Sequence, residues 1–274
     1  MKTPVLSALP LSSFVWIFSV TKKFWIILGV VFWLYFVISH IPAVWGAYLM
    51  TRDGNLGMTG VSGTLWSGRA SLASVKVKGA DYSLGQMTWE LSPFSLLLLK
   101  PCAKIETQMD SQQMNGRVCV GLNGSMDVSK ATISLPTRLM QMQLPLPVDG
   151  KFNLYLDSLA MKNNQVSNLQ GKLGWSEAKV FNGVGWMDIG GFGADLADDG
   201  NAGVSVHVFD VNSPVHVDIT ALFLSPTGVS LKGKLSMSEA FAQQANATAL
   251  LSMLATPTAP DEQGNLQYIV DMTF

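Results

Sequence analysis

The chain has 274 residues, of which 48% are apolar and 14% charged, with a net charge of −1 and a mean hydropathy of +0.29. It is too apolar for a disordered chain and too weakly basic for a sequence-blind nucleic-acid binder, so nucleic acid is not expected as a partner. Two cysteines are too few to build a disulfide scaffold.

Residues 1–23 read as a cytoplasmic tail. Its apolar run at 14–20, FVWIFSV, is too short to span a bilayer and reads as an interfacial segment. Residues 24–41, FWIILGVVFWLYFVISHI, are eighteen residues with no Asp, Glu, Lys or Arg. A spanning helix needs about 20 apolar residues, so this stretch reads as a single transmembrane anchor that Pro42 closes. Lys2, Lys22 and Lys23 precede it, no acidic residue does, and the next basic residue is Arg52. The positive-inside bias therefore puts the amino terminus in the cytoplasm and residues 42–274 outside, in the periplasm. So long an apolar stretch, with no A-x-A site after it, reads as an uncleaved anchor and not as a signal peptide.

Residues 42–274 are rich in period-2 alternation. VKVK (75–78), MTWEL (87–91), KIETQM (104–109), VSVHVF (204–209), VHVDIT (215–220), VSLKGKL (229–235) and LQYIVDM (266–272) each present one apolar and one polar face. Gly, Asn, Asp and Pro clusters such as DDGNAG (198–203) separate them. The expected fold is mainly β: an antiparallel sheet domain, as a curved sheet or a sandwich, with a few short helices.

Three stretches read as helical. Ser92-Pro93 starts a short one, Pro136 starts another that LPLP (144–147) ends, and a Ser236–Glu239 capping box opens a third. Ala247, Leu250, Leu251 and Leu254 give the third an apolar stripe that would lie on the sheet. VSGTLWSGRA (61–70) echoes LQGKLGWSEA (169–178), which suggests two related halves, 54–148 and 149–274.

Cys102 and Cys119 both fall in the periplasmic part, where the compartment is oxidising. The strands that carry them read as hairpin neighbours through MDSQQMNG, which makes the pair a disulfide candidate. The other reading is two small buried hydrophobes.

Catalytic patterns are near misses. GVSLKGKL (228–235) has P-loop spacing but Leu235 where a magnesium ligand belongs, and it reads as a strand with Lys232 and Lys234 outward. GGFG (190–193) reads as a turn that needs positive φ. His207, His216 and Asp218 share a strand face, and the FDVNSP turn would set the two histidines side by side. Two His and a carboxylate can ligate a metal, but a solvated polar face has the same pattern. No cofactor or catalytic residue is assigned.

The short tail, the anchor, VSGTLWSGRA (61–70) and the run WELSPFSLLLLK (89–100) resemble the type II secretion system protein N family. The end of the chain, TPTAPDEQGNLQYIVDMTF, is similar too. The resemblance implies an accessory of the Gram-negative inner membrane with a structural or assembly role in export of folded proteins across the outer membrane. It implies other secretion-machine components as partners and no enzyme activity. The run at 89–100 is also similar to AsmA-like β proteins, which implies an alternative as a periplasmic lipid-handling module with lipid as a partner.

Overall fold

The computed structural model describes residues 12–77, 79–139, 147–163, 165–200, 203–224, 228–245, 251, 255–261 and 263–273, with the side chains of the first helix described from Lys23 onward. That helix, α1, spans Ser12–Ser39. It takes in the run at 14–20 that was expected to lie apart at the interface, because no proline or glycine separates that run from the apolar stretch. Among the described residues no helix is long and apolar enough to cross a membrane. A second helix, α2 (Ala43–Thr51), follows Pro42 and was not expected. Proline is unfavourable inside a helix but compatible with its start, so the same residue ends one helix and opens the next.

The rest is one antiparallel sheet. Its first strands are β1 (Leu56–Thr59), β2 (Ser62–Gly63), β3 (Ser67–Val77) and β4 (Ala80–Leu91). The short helix α3 (Pro93–Leu97) leads to β5 (Cys102–Met109), β6 (Gln112–Val120) and β7 (Met126–Pro136). The long central strands are β8 (Val148–Lys162), β9 (Gln165–Phe181) and β10 (Trp186–Asp198). β11 (Val204–Val211), β12 (Val215–Leu224) and β13 (Gly228–Met237) precede α4 (Glu239–Gln244), β14 (Thr256–Thr258) and β15 (Leu266–Thr273). Of the two arrangements expected, the described residues form a single sheet of 15 strands in which chain neighbours from β3 to β13 are also spatial neighbours. β7 and β8 pair along Met126–Pro136 and Lys151–Met161, so the sheet is continuous through position 148.

Alternation sorts the side chains onto two faces. One row of directly opposed residues runs Ala70, Met87, Thr107, Met114, Ile133, Leu154, Leu173, Ala194, Val208, Ile219, Gly233 and Val270. One residue along each strand, the next row runs Arg69, Thr88, Glu106, Asn115, Thr132, Tyr155, Lys172, Asp195, His207, Thr220, Lys232 and Asp271. The first row is apolar apart from Thr107; the second is polar throughout.

Burial is concentrated at the two ends of the apolar face. Ala70, Ala73 and Met87 form one buried cluster with Trp89 and Ile105. Val215, Met237 and Ala242 form the other with Phe241 and Leu251. The helix segment after β13 therefore does lie on the sheet, as expected. Its cap is Ser238, whose Oγ accepts from the Phe241 N–H at 3.3 Å; Ser236 pairs in β13 instead. The stripe residues Ala247, Leu250 and Leu254 lie outside the described residues. So does most of the helix expected after Pro136, of which 137–139 forms a 3₁₀ turn.

GGFG is not a turn. Gly190 has φ +82° inside β10, where the register with β9 shifts on both sides of it. This is a β-bulge, and glycine suits its left-handed backbone. A Cβ there would also run into the Asn212 carbonyl. Gly190→Ala should destabilise the fold by more than about 1 kcal/mol, read as a lower thermal midpoint of the purified full chain.

Candidate functional site

Two segments that read as the most distinctive in the sequence fold into one site. The last turn of any helix leaves carbonyls without intrahelical partners. At the end of α1, the Trp66 indole N–H donates to the Ile38 carbonyl at 2.8 Å, and the Leu65 N–H donates to the Ile41 carbonyl at 2.8 Å. The Trp89 indole donates to the Leu65 carbonyl at 3.2 Å, and the Leu91 N–H donates to the Trp66 carbonyl at 2.7 Å. Gly68 is required beside them, because a Cβ there would enter the Trp89 ring. Ala43 and Ala47 of α2 are buried, and a Cβ at Gly46 would meet the Leu65 side chain at 2.6 Å. VSGTLWSGRA and the start of WELSPFSLLLLK thus make a socket for the end of α1.

The two tryptophans of the sequence echo have different settings. Trp66 precedes β3 and closes the socket, whereas Trp175 stands in the middle of β9. There it lies between Phe152 and Phe192 on the flanking strands, with ring centroids 5.6 and 5.8 Å away. Its indole donates to the Asp149 carbonyl at 3.2 Å. These three rings, with Leu173, Ala194, Val206, Val208 and Val217, line an apolar hollow of about 360 Å³ on β8–β12.

Cys102 and Cys119 are directly opposed on β5 and β6 and joined by a disulfide with S–S 2.06 Å. Next to it, Ser95 of α3 is buried; its Oγ accepts from the Cys102 N–H and donates to the Ser92 carbonyl. Lys100, in the link after α3, pairs with Asp127 at the start of β7 at 2.5 Å. On the same strand and face, Lys104 pairs with Glu106 at 2.6 Å, and that hydrogen bond to the carboxylate raises the ammonium pKa.

The histidines are not brought together. His207 bonds Asp218 at 2.8 Å, while His216 bonds Asp210 at 3.2 Å. The reason is register: His207 stands opposite Thr220, four residues beyond His216 on the same strand. Among the described residues no group of three or more His, Cys, Asp and Glu could hold a metal. The sequence reading missed the socket itself. Its signal was there in two tryptophan–glycine segments close to the helix end, but nothing local says that an indole will reach a carbonyl 28 residues away.

The type II secretion system protein N family model matches residues 54–267, which include the socket, the disulfide and the apolar hollow. The chain belongs to that family. It is 32% identical over 170 residues to type II secretion system protein N of Aeromonas hydrophila, covering 60% of this chain and 66% of the relative. It is 30% identical over 161 residues to the protein of that name from Vibrio cholerae serotype O1, covering 56% and 62%. The chain thus spans just under two thirds of the length of these curated relatives. No solved structure matches it.

Two substitutions separate the parts of the site. Trp66→Phe keeps a ring but deletes the indole donor, and should cost about 1 kcal/mol. Cys119→Ser releases a loop with a sequence separation of 17 residues, and should cost about 3 kcal/mol on the chain-entropy estimate. Thermal unfolding of the detergent-solubilised full chain, with and without reductant, reads both; only the Cys119 variant should become insensitive to reductant.

Proposed function

We propose that this chain is an accessory component of the type II secretion machine, anchored in the inner membrane by α1, which holds its sheet in the periplasm against other components. Family membership over residues 54–267 carries the reading. Three features support the anchor. The stretch 24–41 has no charged side chain, and Lys22 and Lys23 stand before it. The apolar residues from Phe24 to Ile38 are exposed, Phe32 at 69% and Trp25 at 68%. Such a surface is stable in hydrocarbon and costly in water. A disulfide fits the oxidising side of that membrane. The role is structural: the socket fixes the helix end to the sheet, so a partner bound to the sheet is held at a set position relative to the bilayer.

The tagged chain, extracted from native membranes in mild detergent, should carry other secretion-machine components with it. It should also stay in the membrane through an alkaline wash. A chain purified without any such component, whose loss leaves export unchanged, would overturn the assembly role; release by alkali would overturn the anchor.

A lipid-handling module is the alternative, and one observation favours it. The apolar face is half-exposed across the middle of the sheet and carries the hollow lined by Phe152, Trp175 and Phe192. A hollow of that size falls in the range of small-ligand sites, about 300–1,000 Å³. Mass spectrometry of the purified chain should then find about one phospholipid per chain bound against this face, and Val208→Asp should remove it. Lipid retention unchanged by that substitution would count against this reading.

A further inference from the structure

We propose that α3 and the β6–β7 turn form a second membrane contact, an apolar rim that enters the interfacial layer of the bilayer; the proposal rests on the reading of α1 as an anchor. The fold leaves these side chains with nothing to pack on. Phe94 is 77% exposed, Leu98 80%, Leu99 64% and Leu122 77%. They belong to short links, not to the half-buried apolar face of the sheet. Leu99 has φ +55°, a region that non-glycine residues seldom adopt. The reversal there brings Lys100 back toward Asp127 while Leu98 and Leu99 both stay outside.

Position identifies the occupant. Strand β3 starts at the α1 socket, and antiparallel pairing brings the end of β4, the start of β5, the end of β6 and the start of β7 to that same end of the sheet. At about 4.8 Å per strand, the socket, α3 and the β6–β7 turn lie within roughly 20 Å of one another. Phe94, Leu98, Leu99 and Leu122 cluster on the two links nearest the socket. Farther along the same end the connections carry Lys162, Asn163, Asp198 and Asp199. At the opposite end they carry Asp110, Asn212 and Ser213, and the exposed Val184 stands there with, among the described residues, no other exposed apolar links and no anchor helix beside it. Apolar links beside the helix, followed by the charged links of β8–β9 and β10–β11, match a sheet tilted against a surface at that corner.

The backbone of the rim is prepared for a layer with little water. The N–H groups of Ser95, Leu99 and Lys100 donate to the carbonyls of Ser92, Leu96 and Ser95. In the turn, Gly121 N–H donates to Ser125 and Gly124 N–H to Gly121. Apolar surroundings demand such internal satisfaction. The Cys102–Cys119 disulfide and the Ser95 hydroxyl bonds hold the two links at a fixed height. Bulky apolar side chains on a rigid, self-satisfied loop suit interfacial insertion.

The test uses the full chain reconstituted in vesicles of phosphatidylethanolamine and phosphatidylglycerol. A benzophenone amino acid replaces Leu98, Leu122, Trp33 or Val184, one at a time. All four sites are exposed, and Val184, at 94%, lies at the opposite end of the sheet. After irradiation, mass spectrometry should find lipid adducts at Leu98, Leu122 and Trp33 and none at Val184. Adducts at Trp33 with none at Leu98 or Leu122 would overturn the rim and leave the anchor standing. No adduct at Trp33 would overturn the anchor reading and the rim with it. The same positions irradiated in native membranes should again give lipid; a protein adduct at Leu98 in its place would assign the rim to a protein partner and overturn the membrane contact.

Discussion

The architecture depends on one constraint: nearly every strand pairs with the strand that follows it in the chain. A sheet built this way has no crossover and no second layer, so alternation alone decides what is buried. It also has two free edges, which invite pairing with other chains. Both are blunted. At one edge β1 and β2 are short and α2 packs against them. At the other, β14 offers three residues with Pro257 in the middle, and proline removes a ladder donor.

The same constraint leaves the apolar face without a second sheet. Among the described residues, β1 and the segment after it cover one end and α4 with Leu251 the other. The buried clusters at β3–β4 and β12–β13 are the outcome, with half-buried rows between them. A protein that buries so little of its apolar surface derives much of its order from the hydrogen-bond ladder and from cross-strand pairs such as Phe152–Trp175–Phe192. The exposed centre is the part of the molecule with room for a ligand.

Much of this was legible before the structure. Six of the seven alternating segments fall within strands, as do residues 75–77 of the other, and the opposed cysteines, the Pro93 helix start and the outward Lys232 and Lys234 are where local chemistry puts them. The misreadings were places where tertiary context overrides a local signal. A Ser–x–x–Glu pattern at 236–239 lost to a strand that needed Ser236 in its ladder, so Ser238 became the cap. GGFG offered positive φ, which a bulge uses as readily as a turn. Two histidines on one face were separated by register, which alternation does not fix. The socket was out of reach because its bonds cross 24 to 28 residues.

The socket gives meaning to where the disulfide sits. Its two indole bonds and two backbone bonds join the helix end to β3 and β4, each worth about 1 kcal/mol. That is firm enough to fix an angle and weak enough to yield under load if the next strands could slide. The disulfide lies one strand further on, between β5 and β6, at the same end of the sheet. It locks the register of the pair beyond the socket, where a slip would carry α3 and its leucines with it. The strongest link and the exposed Phe94, Leu98 and Leu122 are therefore neighbours, and all belong to the corner where the helix meets the sheet.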